Sequence, residues 1–298
     1  MGRILFLGVL VAVAAGVVQA QDCFTFKYND HVRAQCGDTV KNILGVPGLS
    51  HYAVYDSAIA AITEGNRTRA AVLISGGRQR SLRDLDAVYA SCGTIFGEYH
   101  RIGKEQPFYM YLWDILSDRP ESFGPLREPV CDEKRSLVVG QNSAGNLVTP
   151  AGRIVVRARG NRDIQSWDIS PSAEFIAYTE LDSPPQKLCI ARIGAEEPTC
   201  YSMGDLGGYG KNIAVNDGGE VLFVQTSAAP GRCYYSGDSE VVSRRRSPGS
   251  EESECFGIWH ASPKSPPKEL VPLAFNPYWI SASALERLTA RLGRASRP

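Results

Sequence analysis

Short apolar runs, separated by clusters of Gly, Pro, Asn and Asp, dominate the chain from about residue 52 onward. These runs are rich in β-branched and aromatic residues, and each is followed by residues that favour turns. Such spacing is typical of an antiparallel all-β domain rather than of alternating strands and helices. The predicted strands lie at 70–75, 108–113, 136–140, 153–158, 175–180, 187–193, 221–226 and 257–261.

Helical periodicity is scarce in this sequence. One candidate helix covers residues 81–90, and a second covers 284–292, where three leucines recur at helical spacing. A leucine stripe of this kind usually packs against a core. We therefore expect residues 283–298 to form a short helical or flexible tail.

Two segments repeat one pattern at an offset of 45 residues, SPSAEFIAY at 170–178 and VNDGGEVLF at 215–223. Each has a polar turn tetrapeptide, two further residues and an apolar triplet. A short predicted strand precedes each turn, IQSWDI at 164–169 and NIAV at 212–215, and NPYWIS at 276–281 is similar to the first of them. The chain therefore contains at least two copies of a β-rich unit.

This unit resembles the repeat of TolB-type β-propellers, which are related in shape to WD-repeat propellers. The family repeat has a Trp-Ser-Pro-Asp-Gly-like turn followed by an Ile-Ala-Phe-like strand. Ser172 and Ala173 depart from the turn in the first unit, Val215 and Asn216 depart from it in the second, and two extra residues separate Trp167 from Ser170. The resemblance covers about residues 165–280 and implies a fold rather than a function. The matching residues are Trp167, Ser170, Pro171, Ile176, Ala177 and Tyr178 in the first unit and Asp217, Gly218 and Phe223 in the second.

The resemblance implies an all-β propeller of four to six blades, with the repeats in residues 51–282 and the apolar triplets as the inner strands. One blade is expected to begin at 57–63, and a second at 93–99, extended by an insertion as far as 164–169. Residues 21–50 and the tail could then close the ring. The alternative is a small N-terminal α/β domain at 21–130 followed by a partial propeller, whose open sheet edges would be unfavourable.

The first 20 residues have the layout of a secretory signal peptide. Arg3 precedes an apolar stretch from Ile4 to Val18, and small residues lead to a cleavage point after Ala20. A membrane anchor is the alternative, but this stretch is short for a span and no basic cluster follows it. We expect a secreted or periplasmic protein without an integral membrane segment after signal cleavage.

Eight cysteines follow the signal, and an even count in an exported chain predicts disulfide bonds. A metal cluster is the weaker interpretation, because no CxxC spacing occurs in the chain. Many pairings are possible, and we expect pairing between sequence neighbours. The predicted bonds are Cys23–Cys36, Cys92–Cys131, Cys189–Cys200 and Cys233–Cys255.

Two surface features complete the list of candidate sites. Asn66 begins an Asn-Arg-Thr glycosylation acceptor, which matters if the source is eukaryotic. Residues 231–254 form an insertion with three consecutive arginines, Arg244, Arg245 and Arg246. This insertion is either a docking or protease-sensitive loop or a tolerated surface loop.

The net charge and the absence of catalytic motifs limit the classes of function that the chain can have. The 32 basic side chains balance the 32 acidic ones, so the chain has no net positive charge with which to bind nucleic acid. No HExxH, GxSxG, Walker A or dinucleotide-binding motif occurs, and no catalytic, cofactor or metal residue is predicted. We expect a non-enzymatic module that binds another extracytoplasmic protein or macromolecule. The alternatives are a hydrolase or lyase with a channel-mouth site assembled from several blades, and a structural surface protein.

Overall fold

The structure is a computed structural model, and its strands form small antiparallel sheets arranged in a ring. Each sheet has four strands, and the described part of the chain contains six such sheets. The architecture is therefore a six-bladed β-propeller, within the predicted range of blade numbers. The structure describes residues 22–65, 68–76, 78–82, 85, 87–99, 111–124, 126–158, 163–181, 186–195, 197–203, 212–226, 256–272 and 274–295.

The blades follow one another along the chain, except that the first blade takes its inner strand from the far end of the sequence. Blade 1 contains β1 (Asp22–Tyr28), β2 (His31–Cys36), β3 (Thr39–Gly45) and β24 (Phe275–Ser281), and blade 2 contains β4 (Leu49–Tyr55), β5 (Ala58–Gly65), β6 (Thr68–Ser75) and β7 (Arg78–Leu82). Blade 3 contains β8 (Ala87–Ser91), β9 (Thr94–Tyr99), β10 (Tyr111–Asp114) and β11 (Arg119–Glu121), and blade 4 contains β12 (Arg127–Cys131), β13 (Val138–Gln141), β14 (Leu147–Val148) and β15 (Ile154–Val156). Blade 5 contains β16 (Asp163–Ile169), β17 (Phe175–Leu181), β18 (Lys187–Arg192) and β19 (Thr199–Ser202), and blade 6 contains β20 (Ile213–Val215), β21 (Val221–Thr226), β22 (Phe256–Ser262) and β23 (Ser265–Pro272).

The inner strands β4, β8, β12, β16, β20 and β24 surround the axis. Neighbouring inner strands contact each other around the ring, for example β4 with β8, β16 with β20 and β24 with β4. Residues 22–131 supply β1 to β12, which form blades 2 and 3, three strands of blade 1 and the first strand of blade 4. The expectation of a separate α/β domain at 21–130 is therefore wrong. The strands of residues 22–131 pair into four-stranded sheets of the same kind as those in the rest of the ring.

Strand β24 closes the ring by pairing with β1. In that pairing Cys23 lies opposite Ile280 and Phe24 lies opposite Trp279. The buried Tyr52 of the neighbouring blade donates a 2.7 Å hydrogen bond to the backbone oxygen of Asn276. The two ends of the chain are therefore held together inside one sheet, which removes the open edges of a partial propeller.

The candidate helix at 81–90 is wrong, because the described residues there belong to β7 and β8, apart from Leu85, which lies in neither. Burial in β8 alternates residue by residue, with Val88 and Ala90 buried, as expected of a strand with one side against a neighbouring blade. The tail helix is confirmed as α1 (Ala282–Ala295). Its Leu285 and Leu288 are buried in the apolar cluster that blades 1 to 3 share.

Two expectations about the blades are also wrong. Residues 93–169 do not form one extended blade, because β12 to β15 make a sheet of their own. The apolar triplets of the repeat lie in β17 and β21, which are the second strands of their blades and not the inner ones. They read as solid apolar runs because the second strand is covered on both faces by neighbouring blades, and Ile176, Ala177 and Phe223 are almost completely buried.

Two glycines with similar backbone angles test how tightly blades 3 and 4 approach each other. Gly93 has φ of +68°, and a Cβ atom there would lie 2.6 Å from the Glu133 backbone oxygen, whereas Gly76 has φ of +62° and no heavy atom within 4 Å of that position. We expect Gly76→Ala to cost about 1–2 kcal/mol through backbone strain alone, and Gly93→Ala to cost about 1–3 kcal/mol more through steric conflict. Urea unfolding of both variants measures the difference, and equal losses would contradict the close approach.

Candidate functional site

Two cavities lie on the propeller axis, one at each end of the inner strands. We call the first the carboxyl-end funnel, because its lining comes mainly from the last residues of these strands and the turns that follow. We call the second the amino-end funnel, because its lining comes mainly from their first residues. The carboxyl-end funnel has a volume of about 500 Å³ and is lined by residues 54–56, 90–93, 131, 133, 168, 169, 171, 214–218, 278–281, 284 and 287. The amino-end funnel has a volume of about 310 Å³ and is lined by residues 51, 87–90, 98, 128–130, 166, 167, 212 and 213.

The repeat turns surround the carboxyl-end funnel. The Ser172 backbone N–H donates a 2.7 Å hydrogen bond to the Asp217 carboxylate, so equivalent turns of blades 5 and 6 contact each other directly. The Val215 backbone N–H donates a 3.1 Å hydrogen bond to the buried Asp168 carboxylate. These carboxylates therefore join adjacent blades.

Other ionisable groups of the carboxyl-end funnel are also engaged. Arg287 of α1 forms an ion pair with Asp56, and hydrogen bonding from this guanidinium is the main reason that the pKa of Asp56 is lowered. Tyr55 donates a 2.8 Å hydrogen bond to Glu133. Burial and the neighbouring carboxylate raise the pKa of Tyr55 to about 12. The polar lining at this end therefore serves to hold blades and helix together.

Tyr278 lines the carboxyl-end funnel. It packs edge-on against Tyr52, with ring centroids 5.4 Å apart. Burial raises the pKa of Tyr278, and the charges of Asp168 in the carboxyl-end funnel and Glu98 in the amino-end funnel act in the same direction. Both funnels therefore place negative charge near the axis.

Two carboxylates line the amino-end funnel from different blades. Glu98 lies on β9 opposite Ala87. Glu128 lies on β12 where the pairing register shifts between Arg127 and Val130, and its φ is +47°. A left-handed residue at a β-bulge changes the direction of its side chain relative to a regular strand. Local backbone geometry therefore determines where the Glu128 carboxylate lies.

The pKa values near these carboxylates are perturbed. Burial raises the pKa of Tyr89 well above its ordinary value, and the charges of Glu98 and Glu128 raise it further. Burial also raises the pKa of Glu128, although Arg127, whose Nε lies 3.3 Å from Glu128 Oε1, opposes this shift. Both carboxylates therefore act on the same tyrosine hydroxyl.

Two buried donors in this funnel lack hydrogen-bond partners among the described residues. They are the Tyr89 hydroxyl and the Trp167 indole Nε1–H. Trp167 is only 6% exposed. An unsatisfied buried polar group costs about 1–3 kcal/mol of stability. The amino-end funnel thus contains two donors without partners among the described residues, whereas the carboxyl-end funnel's groups described above are engaged. Within the described residues, no group of three His, Cys, Asp or Glu side chains could hold a metal ion.

The predicted site residues lie in several places. Cys23–Cys36 and Cys189–Cys200 join adjacent strands of one blade, and Cys92–Cys131 joins blade 3 to blade 4 at the carboxyl-end funnel. These are three of the four pairings expected from the sequence. The residues that lie outside the described part of the chain are the signal peptide, Asn66, Cys233, Cys255, Arg244, Arg245 and Arg246. The part of the chain that the structure describes contains no helix with the length and apolar character needed to cross a bilayer.

The amino-end funnel was not predicted as a site. Trp167 is part of the repeat pattern, but Tyr89, Glu98 and Glu128 carry no motif, and Tyr89 falls in the segment that was read as helical. The only signal in the sequence is weak: Glu98 is the one charged residue of β9, and Glu128 stands beside Arg127 at the start of β12. These two residues meet in one cavity because blades 3 and 4 are neighbours in the ring. The sequence does not define the boundaries of these two blades.

Comparison with known proteins supports the fold. No protein-family model matches the chain, and no curated protein matches it. The structure is similar to the crystal structure of TolB from Acinetobacter baumannii, with a TM-score of 0.58 and 12% identity over 87% of this chain and 66% of that one. A candidate 6-phosphogluconolactonase from Bacteroides uniformis matches with a TM-score of 0.45 and 11% identity over 88% of this chain and 100% of that one. The chain thus spans slightly less than two thirds of the TolB chain, and the likeness at this identity concerns the propeller fold alone.

Proposed function

We propose that this protein is an exported, disulfide-stabilised propeller that acts as a binding module, and that it takes a segment of another extracytoplasmic protein into the amino-end funnel. The observation that carries the proposal is the pair of buried donors, the Tyr89 hydroxyl and the Trp167 indole, which lack partners among the described residues. A ligand that supplies acceptors recovers the free energy lost by burying these groups. The disulfides and the signal-like first 20 residues favour an oxidising compartment.

The proposal predicts that one double substitution weakens binding with little change in stability. Tyr89→Phe/Trp167→Phe removes both donors and keeps aromatic rings in place. Removal of the buried unsatisfied groups offsets the packing lost when Trp167 becomes the smaller Phe, so we expect the free energy of unfolding to change by less than about 1 kcal/mol. We expect binding to weaken at least about tenfold. The measurement is chemical crosslinking and pull-down from the native compartment, together with urea unfolding.

A matched control exists in the same chain. Tyr55→Phe/Trp259→Phe makes the same chemical changes away from the amino-end funnel: Tyr55 lines the other funnel and Trp259 lies on β22 of blade 6. We expect this control to keep the partner. Recovery of the same partner by the Tyr89→Phe/Trp167→Phe protein in undiminished amount would remove the proposal.

A hydrolase or lyase is the second candidate function, and one observation favours it. Glu98, Glu128 and His51 line the same cavity, and burial raises the pKa of the Glu128 carboxyl, which suits a general acid. Mass spectrometry of the recovered partner separates the two candidates. A binding module leaves the partner intact, whereas an enzyme cleaves it and loses this activity in Glu128→Gln.

A further inference from the structure

The described lining of the amino-end funnel is acidic. It contains Glu98 and Glu128 and no Lys or Arg. Arg127 lies beside Glu128, but its side chain is 60% exposed and its contact uses a single carboxylate oxygen, Oε1. Exposed pairs of this kind contribute little free energy, and a ligand cation can replace them. The cavity is therefore suited electrostatically to a cation.

Backbone geometry at the bulge of β12 determines the direction of the Glu128 side chain. A non-glycine residue at positive φ is uncommon and costs of order 1 kcal/mol or more. Glu128 has φ of +47° at the register shift of β12. Strained conformations of this kind cluster at sites where a side chain must take a particular direction. Pro129, which follows, is buried and also lines the cavity.

Aromatic rings complete the chemistry of the cavity. Tyr89 and Trp167 both line it, and aromatic faces attract guanidinium and ammonium groups. Their Oη and Nε1 donors require acceptors, which a bare cation cannot supply. A peptide segment offers both, because a basic side chain carries the charge and adjacent backbone carbonyls accept hydrogen bonds.

We propose that the amino-end funnel recognises an arginine or lysine side chain on an extended segment of the partner protein. Glu98 and Glu128 receive the cationic head, and the rings of Tyr89 and Trp167 contact it. The Tyr89 hydroxyl and the Trp167 indole N–H, which have no partners in the described part of the chain, bond to carbonyl oxygens of the segment. This inference rests on the proposed function, since it names the ligand chemistry of the same cavity.

The test uses small probes and the indole signals of the intact protein. The chain has four tryptophans, so ¹⁵N labelling gives four indole N–H resonances, and Trp167→Phe assigns the one of interest. The probes are the N-acetyl methylamides of arginine, of its neutral isostere citrulline, and of glutamate. We expect the arginine probe to shift the Trp167 indole signal saturably, the citrulline probe to bind about tenfold more weakly or worse, and the glutamate probe not to bind.

Charge-removing variants complete the experiment. Glu98→Gln/Glu128→Gln is expected to weaken arginine-probe binding at least about tenfold, and each single variant is measured too in case the double variant unfolds. The control, Glu133→Gln/Asp217→Asn, removes the same charge from the carboxyl-end funnel and should bind normally. Equal binding of citrulline, preference for glutamate, unchanged binding by the Gln variants, or no movement of the Trp167 signal each overturns the inference. The proposed function is tested separately. If the Tyr89→Phe/Trp167→Phe protein no longer recovers the natural partner, the proposed function holds even when one of these results overturns the inference.

Discussion

Ending the chain at Ala274, which removes β24 and α1, is expected to abolish the cooperative unfolding transition of the propeller. Blade 1 then loses its inner strand, and β1 exposes an unpaired edge. The shared core of blades 1 to 3 loses Tyr278, Ile280, Leu285 and Leu288, all of them buried. Each large buried side chain that is lost costs about 2–5 kcal/mol, so the four together cost as much as the about 5–15 kcal/mol that stabilises a typical domain. Circular dichroism during urea titration measures the transition.

A second truncation isolates ring closure from the loss of the helix. Ending the chain at Ser281 removes α1 but keeps β24 paired with β1. We expect this protein to retain a single cooperative transition at a lower urea midpoint, because it loses the buried leucines of α1 but no strand. If the chain ending at Ala274 unfolds as sharply as the one ending at Ser281, then the blades behave as an open array and not as a closed ring.

The repeat turn was predictable because its chemistry is local. Ser170 accepts hydrogen bonds through its hydroxyl from the backbone N–H groups of Glu174 and Phe175. In the next blade Asn216, which departs from the family pattern, accepts bonds from the backbone N–H groups of Gly218 and Glu220. Such side-chain bonds to nearby backbone groups favour particular residues at fixed positions, so the pattern survives in the sequence. The offset of 45 residues also has a direct structural meaning, since Ser172 and Asp217 at this separation are hydrogen-bonded.

The order of strands in a blade was not predictable from apolar content. The inner strand β16 mixes polar and apolar residues because its side chains line the funnels and the axis, whereas β17 lies between two blades and is buried on both faces. A continuous apolar run indicates that both faces of a strand are buried. Burial of both faces does not identify the strand nearest the axis. Assigning the triplets to the inner strand therefore shifted every blade boundary by one strand.

The amino-end funnel was not predictable because its residues come together only through the ring. Glu98 and Glu128 lie in blades 3 and 4 and are brought to one cavity by the rotation from one blade to the next. Neither glutamate belongs to a sequence motif that indicates a function. The bulge at Glu128 is a backbone feature that no residue type in REPVC requires. Sites assembled from separate blades leave no spacing in the sequence.

The three described disulfides are expected to contribute unequally to stability, with Cys92–Cys131 contributing most. It closes a loop of 39 residues, against 13 for Cys23–Cys36 and 11 for Cys189–Cys200. Chain entropy in the unfolded state then gives about 4 kcal/mol for the first bond and about 3 kcal/mol for each of the others. The two shorter bonds connect strands that the sheet already pairs directly, since Cys23 lies opposite Cys36 and Cys189 opposite Cys200.

Urea unfolding of three paired Cys→Ala variants measures this difference, because each variant loses the same two sulfur atoms. Of the six cysteines in these bonds, only Cys200 is exposed. We expect the Cys92→Ala/Cys131→Ala protein to lose about 1 kcal/mol more than either of the others. The junction of blades 3 and 4 keeps other links, including a 3.2 Å backbone hydrogen bond from Cys92 to Cys131 and a 3.0 Å ion pair from Arg135 to Asp114. If this variant loses no more than the other two, these links are sufficient on their own and the entropic contribution of the longer loop is not realised.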